Sequence, residues 1–249
     1  MKSNTGLILG GAAIAALFFL SSDHDDSPGD LQQAAPATAL TPTEFVRLYY
    51  PYAKQSQTAT GVPALVTMSQ AALESGWGKH APGFNFFGIK PGKAWTGAIQ
   101  YQKTWECGKT GNAKTDNIKD QVIAVYAPSN KNKGLSACRN AGQYSYRTMS
   151  PFRAYANAGQ SFLDHGQFLK KNDRYKAAFS TTTPEQFVRV IATAGYATTP
   201  GYADTAIQVM NGIRTRIAQL GIGRAAVQTY LIDSGEPEKS KFPIRIEAR

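Results

Sequence analysis

Residues 64–90 read ALVTMSQAALESGWGKHAPGFNFFGIK, and the stretch divides at Gly76. Before the glycine, ALVTMSQAALES follows Pro63, a residue suited to the first turn of a helix. That segment is apolar on most sides, so it predicts a helix buried in the core and stopped at Gly76 or Gly78. After it the texture changes. From Phe84 to about Met149, Gly and Asn are frequent and short β-compatible runs appear: AIQYQKT, QVIAVYA and YSYRTM. Upstream, Thr41-Pro42-Thr43-Glu44 is a capping box with Pro at the first helical position. The helix it opens runs through FVRLYYPYAKQSQTATG, with a kink or break expected at Pro51 and a stop at Gly61. Downstream, helical pattern returns in AYANAGQSFLDHGQFLKK (154–171), from Thr183 through Ala194, and in YADTAIQVMNGIRTRIAQL (202–220) before Gly221. Helices, a small β-rich lobe, then helices again predict an α+β fold with a cleft between the lobes.

Glu74 is the leading candidate for chemistry. It falls in the last turn of the buried helix, followed by Ser75-Gly76-Trp77-Gly78. The C-terminal end of a helix carries partial negative charge, and burial beside an indole desolvates a carboxylate. Both effects raise its pKa, as a general acid working near neutrality requires. Lysozyme pairs a glutamic acid with a tryptophan in this way. An exposed helix-end glutamate is the alternative.

The chain has 249 residues, a net charge of +10 and a pI near 9.6. Such a surface suits a polyanion, whether nucleic acid, anionic lipid or bacterial cell wall. No nucleic-acid motif is present, so nucleic acid is not expected as a partner. Lys2 precedes an uncharged run from Gly6 to Leu20, GLILGGAAIAALFFL, and SSDHDD follows. The run is shorter than the roughly 20 residues of a full span, but polar fringes extend it. No small-residue cleavage site follows Leu20, which favours a membrane anchor over residues 1–22, held through 6–20, against a cleaved signal. Lys2 inside and Asp23, Asp25 and Asp26 outside agree with that orientation. Residues 23–41 read as a flexible tether, with His24 a solvated linker residue and not a metal ligand. Residues 222–249 form a weakly patterned tail in which FPIRIEAR could add an edge strand. Neither metal nor cofactor is expected. The two cysteines, Cys107 and Cys138, suggest one disulfide in an exported chain. Residues 107–138, rich in Lys and Asn, look like an insertion stapled at its base.

Residues 64–90, with AGYATTPGYA (194–203) and FRAYANAGQSFLDHGQFL (152–169) in the same order, resemble the family-73 glycoside hydrolases. The resemblance covers roughly residues 42–220, and so marks 42–221 as the catalytic domain. It implies a lysozyme-like fold, a mostly helical lobe facing a small β-lobe. It also implies an endo-β-N-acetylglucosaminidase cleaving the β-1,4 bond after N-acetylglucosamine in peptidoglycan. The family's catalytic acid falls on Glu74. Its second carboxylate lies in a T-x-E pattern, here Thr104-Trp105-Glu106, which assigns Glu106; Asp116 or Asp120 could replace it. Its active-site tyrosine maps to Tyr196. Asn85, Phe87 and Lys90 are expected to line the sugar groove, and Trp95 and Tyr202 to stack on sugar rings, with core packing the alternative for the aromatics. The chain departs from the family pattern at Thr199, where Asp is common, and in the insertion after Glu106.

Carboxyl groups about 6.5–9.5 Å apart would suit inversion and about 5–5.5 Å a covalent intermediate. The substrate's acetamido group could also act as nucleophile. Two neighbouring activities fit the same fold, a muramidase and a lytic transglycosylase, the latter needing one carboxylate. A non-catalytic wall-binding component of a phage particle or envelope machine is the reading from another class. The expected partner is the glycan strand of peptidoglycan, met in the periplasm or outside the cell, with a larger envelope or virion assembly possible.

Overall fold

The capping box forms. The Glu44 N–H donates to Thr41 Oγ1 at 3.2 Å and the Thr41 N–H donates to Glu44 Oε2 at 2.8 Å. Two groups left over at a helix start are thereby satisfied, and α1 runs Pro42–Thr60. Pro51 does not interrupt it. The ring is buried within a continuous helix, and its missing N–H leaves one carbonyl, that of Arg47, without a helical donor. This computed structural model describes residues 40–128, 138, 142–197 and 199–222. The expected anchor, nearly all of the tether and the tail from 223, FPIRIEAR included, lie outside the described residues. Among those described, no helix is long and apolar enough to cross a membrane.

The helix α2 (Ala64–Ser75) is the centre of the molecule, as its all-round apolarity indicates. Every residue except Leu65 and Leu73 is buried, and it packs against α1 and three later helices. It ends at Gly76, whose φ of 57° and ψ of 51° put it in the left-handed region where a Cβ is disfavoured. The later helices are α3 (Ala158–Lys171), α4 (Pro184–Thr193) and α5 (Tyr202–Gln219). The start of α3 is later than its apolar pattern suggests, because the Asn157 side chain accepts from the Gln160 N–H and caps it. Residues 154 and 155 still belong to the β-lobe exit, their N–H groups donating to the carbonyls of Ala98 and Gly83 at 2.9 Å. A 3₁₀ segment, Asp173–Ser180, packs against α3 and α4 and has no counterpart in the sequence reading.

Apolar side chains form two clusters, one on either side of α2. Phe45, Tyr49, Met68, Phe86, Phe87 and Phe162 anchor the first. Val66, Leu169, Phe187, Ile191, Tyr196 and Met210 belong to the second. The α1–α3 contact is close enough to demand glycine at 166. A Cβ there would stand 2.6 Å from both Ser56 Oγ and Thr60 Oγ1, inside any normal contact. Ser56 Oγ donates across the same contact to the Phe162 carbonyl at 2.9 Å.

All three β-compatible runs become strands: β1 (Ile99–Gly108), β2 (Gln121–Tyr126) and β3 (Tyr144–Arg153). They form an antiparallel sheet in the order β1-β3-β2, with a register shift between Val122 and Ala124. The Cys107–Cys138 disulfide is present, with Cα atoms 5.6 Å apart. The segment it closes supplies β2. Asp116 organises the turn before β2, accepting from the backbone of Lys109 and Thr110 and from the Tyr146 hydroxyl. Reduction should lower stability by about 3–4 kcal/mol, the loop-closure value for a bridge of this span. Thermal unfolding with and without reductant measures it, and coincident transitions would remove the bridge from the stability of the fold.

Candidate active site

Glu74 lies in the last turn of α2, where the carbonyl end of the helix opposes a negative charge. Its residue exposure is 7%, and among the described residues Oε2 has no hydrogen-bond partner. Burial without a compensating donor holds the carboxyl well above the usual carboxylate range. The exposed-glutamate alternative is thereby excluded. Trp77 packs edge-on to Phe45, ring centroids 5.6 Å apart, with the Arg216 guanidinium 5.7 Å from its ring.

Two tyrosine hydroxyls share the electrostatic surroundings of Glu74. Burial, then the neighbouring Tyr202 and the Glu74 carboxylate, push the Tyr196 hydroxyl well above its ordinary value. Burial and Glu74 do the same to Tyr202. Tyr196 is 1% exposed, beyond Gly195 (φ 83°), and its ring lies 5.8 Å from that of Tyr202. The chain turns at Gly195, and the turn carries the Tyr196 ring into the core. Tyr202 accepts from Gln70 Nε2 at 3.2 Å and packs on Tyr196, and it remains partly exposed.

Two residues of the layer around Glu74 were not among the sequence candidates. Gln70 stands one turn before Glu74 on α2, fully buried, with Oε1 unpartnered among the described residues. His165 is also fully buried. Its ring stacks on Phe87 at 3.9 Å and 11°, and its Nε2 lies 3.3 Å from the Tyr196 hydroxyl. Burial pulls its pKa down to about 3, so the imidazole is neutral. The available signal was a polar residue inside an apolar stripe: Gln70 within an apolar helix, and His165 between Phe162 and Leu169 at helical spacing.

Lys90 joins the β-lobe carboxylates. Its Nζ lies 2.8 Å from Glu106 Oε1 and 2.6 Å from Asp120 Oδ2, and Ser150 Oγ donates to the same Asp120 oxygen at 2.6 Å. Burial pulls the Lys90 ammonium down, but the hydrogen bonds and charges of Asp120 and Glu106 outweigh it and raise the pKa. Glu106 and Asp120, alternatives in the sequence reading, are therefore bound to one cation, while Asp116 serves the turn.

Asn85 and Phe87 are both buried. Asn85 is 5% exposed and spends its polar atoms on backbone: Nδ2 donates to the carbonyls of Ile89 and Arg153 at 3.0 Å, and Oδ1 accepts from the Ile89 N–H at 3.1 Å. It clamps the 85–89 turn to β3. Phe87 has no exposure and packs between His165 and Phe162. Trp95 is partly exposed. Its Nε1 donates to the Ala98 carbonyl and the Arg153 guanidinium lies 4.5 Å from its ring. Arg153 in turn pairs with Asp164 of α3 at 2.6 Å, tying the two lobes together.

Residues 50–215, which include Glu74, Lys90, Glu106 and Tyr196, match the family model described as mannosyl-glycoprotein endo-beta-N-acetylglucosaminidase. The chain belongs to this glucosaminidase family. It is 30% identical over 217 residues to the peptidoglycan hydrolase FlgJ of Pseudomonas aeruginosa, covering 82% of this chain and 46% of that protein. It is 31% identical over 196 residues to FlgJ of Vibrio parahaemolyticus, covering 75% and 53%. The chain thus spans about half the length of the curated relatives it matches. Among solved structures, a peptidoglycan hydrolase mutant from Sphingomonas sp. A1 superposes with a TM-score of 0.52 at 31% identity, over 71% of this chain and 99% of that one. The glycoside hydrolase domain of Salmonella typhimurium FlgJ superposes at 0.53 and 22% identity, over 78% and 99%, a likeness of fold alone. The glucosaminidase domain of this chain therefore has the α+β, lysozyme-like architecture expected from its sequence.

Proposed function

We propose that this protein is a peptidoglycan hydrolase that cleaves the β-1,4 bond between N-acetylglucosamine and N-acetylmuramic acid. Glu74 carries the reading. It is a buried carboxyl with an elevated pKa, at the end of the central helix, inside the stretch matched by the glucosaminidase family. In the proposed reaction Glu74 gives its proton to the glycosidic oxygen as the C1–O bond breaks. A water adds to C1 and loses its proton to Glu106, which Lys90 holds in place. Tyr196 and Tyr202 supply hydroxyls to the Glu74 layer. The names of the relatives, peptidoglycan hydrolases from two organisms, agree with this substrate.

Mass spectrometry of digested peptidoglycan tests the bond cleaved. Reducing-end N-acetylglucosamine is expected. Reducing-end N-acetylmuramic acid would make the enzyme a muramidase, and the anhydro sugar a lytic transglycosylase. Glu106→Gln should lower kcat about 10²-fold or more, the usual worth of a positioned base. Full activity in that variant would remove Glu106 from the chemistry and leave the acetamido group of the substrate as nucleophile.

The wall lies outside the cytoplasm, and the Cys107–Cys138 disulfide suits an oxidising compartment. On the sequence of residues 6–20, we assign the N-terminus as a membrane anchor. Protein from its native source should remain with membranes in high salt, which screens charge but not apolar burial. A mature N-terminus near Ser22 would identify a cleaved signal instead.

A further inference from the structure

Side chains on a strand alternate between faces, so a sheet covered on one face leaves a defined set over. Thr148, Ser150 and Phe152 of β3 are buried, and Glu106 of β1 stands on their side of the sheet with Lys90 and Asp120. The reverse face carries Tyr101, Lys103 and Trp105 of β1, Arg147 of β3 and Tyr126 of β2. These groups meet across the strands. The Trp105 and Tyr126 rings are 5.4 Å apart, and the Arg147 guanidinium lies 4.9 Å from the Trp105 ring.

Exposure is concentrated on this lobe. All five large hydrophobic side chains exposed among the described residues belong to β1 and β2: Ile99 at 47%, Tyr101 at 68%, Ile123 at 48%, Val125 at 45% and Tyr126 at 39%. By the strand register Ile99, Tyr101 and Tyr126 stand on the reverse face, while Val125, opposite Tyr146, stands on the Glu106 side. Surface apolar residues scattered singly need no explanation, but the set gathered on the reverse face marks a contact surface. The charge on it has one sign. Glu106 is the single carboxylate in the three strands and lies on the opposite face, whereas Lys103 and Arg147 are on this one.

We propose that this reverse face of the β-lobe is a second, non-catalytic binding site for the glycan strand of peptidoglycan. The inference rests on the substrate proposed above. Sugar rings present C–H faces that lie against Tyr and Trp, and the peptide stems carry carboxylates that Lys103 and Arg147 would meet. A basic surface alone suits any polyanion; the exposed Tyr101 and Tyr126 rings and the partly exposed Trp105 ring beside the cations select one that also has apolar ring faces. Tyr101 and Trp105 are four residues apart on β1, about 13–14 Å at the rise of a strand, which suits a chain of sugars better than one ring. Such a site keeps the enzyme on an insoluble polymer between cleavages and raises the effective concentration of bonds at the cleft.

The test compares Tyr101→Ser/Tyr126→Ser and, separately, Lys103→Glu with the parent. Sedimentation with purified sacculi, in a Glu74→Gln background so that the wall survives, measures binding. Cleavage of a soluble peptidoglycan oligosaccharide by the Glu74 forms measures the cleft. The double variant should bind sacculi about tenfold more weakly, equivalent to about 1.4 kcal/mol, and cleave the soluble chain at the parental rate. Lys103→Glu should weaken sacculus binding most at low salt. Unchanged sacculus binding in both variants would overturn the proposal. So would a loss confined to binding of phosphatidylglycerol vesicles, which would make the face a membrane contact. A parent that cleaves neither sacculi nor the soluble chain would overturn the proposed function, with the binding comparison still readable.

Discussion

Glu74→Gln is expected to fold, to lose at least about 10²–10⁴-fold in kcat on peptidoglycan, and to be more stable than the parent at neutral pH. The activity follows from the loss of the transferable proton. The stability follows from linkage. Burial holds the folded-state pKa of Glu74 well above the ordinary 4.5, so the folded protein binds this proton more tightly than the unfolded chain does. Below about pH 4.5 both states are protonated and the residue adds no penalty. As pH rises from there toward the folded value, the unfolded chain ionises first, and stability falls with pH through that window. Glutamine is neutral throughout. The stability difference between variant and parent should therefore be near zero in acid, grow above pH 4.5, and level off beyond the folded pKa. The alkaline limb of the parental activity profile should fall in the same range, because the acid works only while protonated. Urea unfolding at several pH values and a pH–rate profile measure both. A variant that cleaves at the parental rate would remove Glu74 from the mechanism; equal stability at all pH values would show that the carboxyl is not desolvated.

Asn85→Ala should cost about 1–3 kcal/mol in unfolding free energy, the penalty of a buried polar group left unpaired. The group in question is the Ile89 N–H, which donates to Asn85 Oδ1. The two carbonyls served by Asn85 Nδ2 keep second donors: the Arg153 N–H for Ile89, and Gln100 Nε2 for Arg153. Asn85→Asp should cost more, because it aims a carboxylate oxygen at two carbonyl oxygens. Both variants free the turn that leads into Lys90, so the Lys90–Glu106 pair loses its fixed geometry and kcat should fall. Denaturant unfolding and steady-state kinetics separate this from a role in the groove. Unchanged stability with a raised KM would return Asn85 to the substrate.

The sequence determined what depends on neighbours three or four residues apart. The Thr41–Glu44 box, the Gly76 stop and the alternating runs of β1, β2 and β3 are local signals, and each element formed around its signal. Glu74 was legible for the same reason: a helix end, an apolar helix and a carboxylate all lie within one short stretch. The Cys107–Cys138 pairing was legible because the described chain leaves no competing cysteine. Tertiary structure decided everything that required two distant segments to meet. Lys90 reaches Glu106 and Asp120 from 16 and 30 residues away, and His165 reaches Tyr196 from 31. Phe87 and Asn85 sit in a turn with no periodicity, so no rule of spacing told which way they faced. The packing of that turn between α3 and β3 turned both inward. The same holds for Tyr196 and Tyr202, which became part of the layer behind Glu74 only when α4 and α5 closed against α2. Caps and periodicity are properties of one segment, whereas burial and long-range partners belong to the packed molecule, and the chemistry proposed for Glu74 depends on the second kind.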